Sequence, residues 1–282
     1  MKKHLHVFFV LISIPLILTG CSESVSEETT ALWPNIKPYL TDTLQVSDLH
    51  EIYYEACGNP EGIPVFVLHG GPGARISPYY RRFFNPEAFH IILHDQRGTG
   101  LSKPFLELRE NTTWDLVEDI ETLRKHMECK QIILFGGSWG STLALAYAET
   151  YPENVSGIVI RGIFTATQEE LDHYYSSGVN NFFPEVYARL KEVFGQPLSP
   201  ENLLNLIQEE DSEKRLNYSK AWTAYEAKIA ELNISDREVL GMVNSPQIID
   251  LVRSLALLEN YYMANRCFFK EGVSNIPWLF TA

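Results

Sequence analysis

The sequence predicts an α/β protein: a mostly parallel, doubly wound sheet with a helical cap inserted after one of its strands. Three observations carry that expectation. Short apolar runs alternate with helical stretches between Leu44 and Ile160. A Gly-x-Ser-x-Gly motif, Gly136-Gly137-Ser138-Trp139-Gly140, falls between one such run and the next helix. From Glu169 to Phe269 the alternation stops and only helical patterns follow.

The elements can be justified in order. Gln45–Ser47 and Glu51–Ala56 read as an antiparallel pair around a polar turn, Asp48-Leu49-His50. Val65–Leu68, Ile91–Leu93, Ile132–Phe135 and Val155–Ile160 are bounded apolar runs, as parallel strands buried on both faces require. Thr113–His126 opens with a threonine able to cap and carries Asp115, Glu118 and Asp119 near the positive helix end. Ser138–Tyr151 is rich in alanine and leucine and stops before Pro152. Within the helical block, Phe183–Phe194, Pro200–Glu210, Ser219–Leu232 and Gln247–Phe268 are the candidate helices, and Ile276–Thr281 reads as a returning strand. The organisation expected is a core over 41–165, a cap over 166–270 and a return to the core over 271–282.

Composition narrows the function. The 282 residues include 23 basic and 36 acidic side chains, a net charge of −13, which argues against a nucleic-acid partner. Neither a CxxC pair nor HExxH occurs, so no metal site is expected, and no cofactor motif stands out. At the N-terminus Lys2 and Lys3 precede a short apolar stretch, Leu5–Leu18, which has the pattern of a signal peptide. It ends in Leu18-Thr19-Gly20-Cys21, which resembles the lipobox of bacterial lipoproteins. The resemblance implies that residues 1–20 are removed and that Cys21 is acylated. Residues 21–40 would then be a flexible tether, and the protein would be lipid-anchored at a membrane surface of the bacterial cell envelope. The remaining cysteines, Cys57, Cys129 and Cys267, are odd in number and are expected to be buried or free thiols.

The chemistry centres on Ser138. Strand, Gly-x-Ser-x-Gly and helix together are the context of a nucleophile elbow, in which the serine sits on a strained turn between small neighbours. His69-Gly70-Gly71-Pro72-Gly73 follows the Val65–Leu68 strand. In hydrolases of this type such a loop supplies one oxyanion N–H and the residue after the nucleophile supplies the other, which assigns the donors to Gly71 and Trp139. His69 itself is expected to orient the loop.

These motifs, together with Asp95-Gln96-Arg97-Gly98-Thr99-Gly100-Leu101-Ser102 and Asn111-Thr112-Thr113-Trp114-Asp115, resemble the prolyl aminopeptidases, or proline iminopeptidases. That family consists of α/β-hydrolase-fold serine exopeptidases that remove an N-terminal proline. The resemblance runs from about Leu44 to the end of the chain. It implies substrate-binding roles for Arg161, for Glu226 in Trp222-Thr223-Ala224-Tyr225-Glu226, and for Glu259 in Leu258-Glu259-Asn260-Tyr261-Tyr262. The two glutamates would hold the charged imino group of proline, so the expected partners are peptides with N-terminal proline. Periodicity agrees. Glu226 lies within the arc of Trp222, Tyr225, Ile229 and Leu232, and Glu259 shares a face with Leu251, Leu255, Leu258 and Tyr262. A carboxylate on an apolar face is costly without a cation or donor. The alternative is a structural ion pair, with Arg161 as one partner.

In this fold the order of the triad is serine, acid, histidine. Only His173 follows Ser138, and it lies at the start of the cap. The family's acid and histidine would come after the Ile276–Thr281 run, so the chain is expected to be truncated, with the last strands and helix of the sheet domain missing. As written it should be nearly inactive and poorly stable. Two other functions stay open: a different α/β hydrolase such as an esterase or amidase, and a non-catalytic surface lipoprotein that binds peptide N-termini.

Overall fold

The computed structural model describes residues 32–195, 197–270 and 272–273. The expected signal segment, Cys21, most of the tether and the Ile276–Thr281 strand lie outside them. Six strands form one mixed sheet in the order β1-β2-β4-β3-β5-β6: β1 Leu40–Gln45, β2 Glu51–Gly58, β3 Ile63–Leu68, β4 Phe89–His94, β5 Ile132–Ser138 and β6 Val155–Ile163. The last four in that order are parallel, and β2 joins β4 antiparallel. The opening hairpin differs from expectation in position. Its first strand is Leu40–Gln45, with Gln45 opposite Glu51, so residues 46–50 are all turn.

Alternate residues of the central strands feed two cores. Phe66, Leu68 and Ile92 pack on one face, beneath helices α1 (Thr113–His126) and α2 (Trp139–Thr150). Val65, Val67, Ile91 and Leu93 pack on the other with Phe84 and Tyr80. Burial on both sides is why these strands read as unbroken apolar runs. Among the described residues α1 and α2 cover the same face, while the opposite face is covered by the 3₁₀ turn Pro78–Phe83 and its flanks.

Helix α1 has the expected span, but its cap lies one residue earlier. Thr112 accepts from the Asp115 amide, and Asp115 accepts in return from the Thr112 amide (2.9 Å), a reciprocal capping box. Thr113 is thereby free to donate to the Cys267 carbonyl (2.6 Å). Arg97 forks onto Asp119 at 2.7 and 2.6 Å, fixing the loop after β4 to this helix.

The chain then forms a helical cap: α3 Gln168–Asp172, a π-helical turn His173–Ser177, α4 Val179–Phe182, α5 Pro184–Phe194, α6 Pro200–Ile207, α7 Ser212–Ala230, α8 Asp236–Val243 and α9 Ile249–Ala264. Helix α7 begins seven residues before the expected Ser219, because Asp211 caps it by accepting from the amides of Glu213 and Lys214. It ends at Ala230, which leaves Leu232 outside the helix and 85% exposed rather than in the apolar stripe. Helix α9 is tied to the core, since Ser254 donates to the Gly73 carbonyl (2.7 Å) and Tyr262 to Asn111 (2.8 Å). These bonds set the height of Glu259 above the sheet. Cys57, Cys129 and Cys267 are free and buried.

Candidate active site

Ser138 sits at the junction of β5 and α2 with φ 53° and ψ −126°, a backbone conformation that costs a non-glycine residue. Its neighbours make the turn possible. A Cβ on Gly136 would lie 2.1 Å from the Gly140 carbonyl oxygen, and one on Gly140 would lie 2.2 Å from that of Leu68. Both positions therefore exclude every side chain. Ser138 is exposed and its side chain makes no capping bond to α2, so Oγ stays available for chemistry. The Trp139 amide is the first of α2, where helical N–H groups lack intrahelical acceptors.

A buried chain of hydrogen bonds positions the glycine loop against this elbow. Trp139 Nε1 donates to Gln96 Oε1 (3.0 Å), and Gln96 Nε2 donates to the His69 carbonyl (2.9 Å). The Gln96 amide donates to His69 Nε2 (3.0 Å), which leaves Nδ1 as the donor toward the Gly70 carbonyl (3.0 Å). Burial pushes His69 down to about 4, so it is neutral near pH 7 and has both ring nitrogens engaged. It orients the loop, as expected, and has no lone pair left for a proton from Ser138. Gly71 has φ 109°, and a Cβ there would meet the Gly73 amide nitrogen at 2.6 Å.

Gly71 and Ser138 line a cavity of about 620 Å³ together with Glu226 and Glu259. Core and cap thus contribute to one site. Glu226 is half-buried on α7, and Glu259 is 4% exposed on α9. Trp222 Nε1 donates to Glu259 Oε2 (2.8 Å), and the Glu226 carboxyl faces that of Glu259 across the cavity. Burial raises Glu226 to about 7; burial and then the facing Glu226 charge raise Glu259 well above the usual carboxylate range. Neither carboxylate is paired with Lys, Arg or His among the described residues. The structural ion pair with Arg161 is therefore not formed. Arg161 instead stands exposed on β6 opposite Gly137, with its guanidinium about 3.2 Å from where a Gly137 Cβ would be, and it does not line the cavity.

Other lining residues were not legible in the sequence. Phe164 comes from the end of β6, and Tyr174 and His173 come from the π-helical turn. That turn has neither a 3.6 nor a 2.0 period, so pattern reading had no signal for it. Among the described histidines only His173 lines the cavity, and none is hydrogen-bonded to Ser138. His50, His90 and His126 are engaged elsewhere, with Arg109, Tyr39 and Tyr54.

An exposed serine on a strained strand-to-helix turn, facing a glycine loop beneath a helical cap, defines a serine hydrolase of the α/β type. Residues 63–260 match the family described as alpha/beta hydrolase fold. Solved structures agree on the fold. That of VinJ has a TM-score of 0.54 at 17% identity, covering 78% of this chain and 70% of its own. An epoxide hydrolase from hot-environment metagenomes has a TM-score of 0.53 at 17% identity, covering 81% and 71%. Curated relatives are much nearer in sequence. A "Probable proline iminopeptidase" of Leptolyngbya boryana is 43% identical over 246 residues, which covers 85% of this chain and 74% of the relative. The proline iminopeptidase of Arabidopsis thaliana is 40% identical over 242 residues, covering 84% of this chain and 63% of the relative. That of Xylella fastidiosa strain 9a5c is 39% identical over 259 residues, covering 87% and 81%. The chain belongs to the proline iminopeptidase, or prolyl aminopeptidase, family of peptidase hydrolases.

Proposed function

We propose that a full-length form of this protein, one that carries the acid and histidine of the triad, releases N-terminal proline from peptides through an acyl-enzyme on Ser138. The observation that carries the reading is the single cavity holding an exposed nucleophile and a buried carboxyl pair without a cation. A neutral ester would leave that pair unmatched, whereas the charged imino nitrogen of proline supplies the missing cation. The pair holds the imino nitrogen and thereby sets the first residue's carbonyl against Ser138 Oγ. Attack forms a tetrahedral oxyanion that the Gly71 and Trp139 amides stabilise. Collapse expels the rest of the peptide as an amine, which takes up the proton that Ser138 gave to the triad histidine implied by the family resemblance; water then releases proline.

The test is turnover of a prolyl amide reporter by that full-length, triad-bearing wild type and by its Ser138→Ala variant, the forms used in every activity comparison below. Loss of the nucleophile should reduce kcat by about 10⁴–10⁶. Equal turnover by the two proteins would exclude the mechanism.

We further infer that Cys21 carries lipid and anchors the protein at a membrane surface of the cell envelope. The support is the Leu18-Thr19-Gly20-Cys21 run after a basic and then apolar leader. Intact mass of the membrane-fraction protein should show an acylated N-terminal cysteine, and Cys21→Ser should abolish it. A wild-type protein beginning at Met1 and free of lipid would contradict the assignment.

A further inference from the structure

We propose that Glu169 and His173 form the subsite for the residue that follows the N-terminal proline, and that Glu169 makes this subsite favour lysine or arginine over aspartate or glutamate. The inference rests on the aminopeptidase reading above and extends it to the second residue of the substrate.

The cavity has an inner and an outer part. Glu259, Leu171, Val179 and Met263 line it as buried residues, whereas Ser138, Glu169, His173 and Ala230 line it as exposed ones. A substrate whose imino nitrogen meets Glu226 and Glu259 has its first residue in the inner part. The chain beyond the scissile bond at Ser138 must then leave through the outer part, past Glu169 and His173. These two residues stand four positions apart where α3 runs into the π-helical turn, so they share one side of the segment. The His173 ring is held in place, lying over Gly178 and against Phe182, with ring centroids 6.2 Å apart.

Adjacent glutamates on α3 have different occupations. Glu170 Oε2 is taken up by the Thr165 amide (3.0 Å) and hydroxyl (2.7 Å) and by the Thr167 capping box. Glu169 makes no side-chain hydrogen bond or ion pair among the described residues, and it lies exposed on the cavity wall. No lysine or arginine lines the cavity among the described residues, so nothing there cancels its charge. A cationic second residue is attracted and an acidic one repelled. Contacts of this kind at an exposed carboxylate are weak and screened by solvent, so exchanging lysine for glutamate should change affinity about three- to tenfold.

The experiment compares Pro-Lys-Ala, Pro-Ala-Ala and Pro-Glu-Ala at low ionic strength, by kcat/KM with the wild type and by calorimetric Kd with Ser138→Ala. The lysine peptide should lead the glutamate peptide by about three- to tenfold, and the ratio should shrink as salt screens the mouth. Glu169→Gln should collapse the ratio and Glu169→Lys should invert it; a merely structural role would lower all three peptides together. His173→Ala should raise KM for the tripeptides more than it lowers kcat. A wild-type ratio near one, or a ratio that survives Glu169→Gln, would overturn the proposal. If none of the three peptides is bound or cleaved, the aminopeptidase reading itself fails, whereas binding all three alike overturns only the subsite.

Discussion

Replacing Glu226 by glutamine should strengthen the fold while weakening its site. Burial lifts the Glu226 carboxyl from 4.5 to about 7, which means that the folded protein resists its ionisation. In the unfolded chain the group ionises near its ordinary value. Between those two pH values the folded state retains a proton that the unfolded state gives up, so this group's contribution to stability falls as pH rises and is fully lost above about 7. A displacement of that size is on the order of 3 kcal/mol; partial exposure and sharing of the proton with Glu259 reduce it to about 2–3 kcal/mol. Glutamine keeps a hydrogen-bonding group facing Glu259 and removes the charge. At pH 8 Glu226→Gln should therefore raise Tm by about 4–12 °C, and at pH 5, where Glu226 is already neutral, by close to nothing. His69 and His94, pushed down by burial to about 4 and about 3, give the opposite slope, with stability lost on acidification. Both proteins share those histidines, so the difference between them isolates the carboxyl. Binding should move the other way, since truncating one partner of a buried charge contact costs about 2–5 kcal/mol, or thirtyfold and more in Kd for prolinamide. Thermal melts at the two pH values and calorimetry at pH 8 provide both readouts. A variant less stable than wild type at pH 8 would refute the reasoning, because it would mean that Glu226 is matched by a cation in the free protein.

Three further outcomes follow from the same contacts. Binding of prolinamide to Ser138→Ala at pH 6.5 should release up to one proton, measured as a dependence of the calorimetric heat on buffer ionisation enthalpy; proton uptake would contradict a protonated carboxyl pair. Gly140→Ala should abolish activity and lower stability, because its Cβ would sit 2.2 Å from the Leu68 carbonyl oxygen; wild-type kcat would refute the packing of the elbow. Arg97→Ala strands the buried Asp119 carboxylate, already raised to about 6 by desolvation, and should cost about 3–5 kcal/mol in denaturant unfolding at pH 8. That loss should shrink at pH 5, where the stranded group takes up a proton.

Legibility in the sequence followed physical simplicity. β3 and β4 could be read because each is buried on both faces and so is written as an apolar run; β6 is an apolar run too, but the expectation that it is buried on both faces does not hold, since it is the last strand of the described sheet and Val159 is 54% exposed. The elbow could be read because its glycines are forced by carbonyl oxygens about 2 Å from where a Cβ would lie. Glu226 and Glu259 stood out as charges on apolar helix faces, and the structure brings both to the cavity that Ser138 lines. The start of α7 was missed because Ser212–Arg215 is polar and charged, and only the Asp211 cap marks it. Helix α8 was missed although the sequence carries its start signal, the reciprocal capping box of Ser235 and Glu238. Arg161 was placed in the substrate site by resemblance, yet its side chain runs beside Gly137 and outside the cavity wall. The Trp139–Gln96–His69 chain joins residues far apart in sequence through side chains alone, and no local pattern announces such a link.

The central claim is that a serine and a buried carboxyl pair in one cavity act together on a charged N-terminal proline. The ratio of kcat/KM for a prolyl amide to that for its N-acetylprolyl counterpart tests it most directly, because acetylation removes the cation and leaves the scissile bond. The account predicts a ratio of at least about thirty in the wild type, both activities vanishing in Ser138→Ala, and a much smaller ratio in Glu226→Gln. Equal cleavage of the two substrates by the wild type would contradict it.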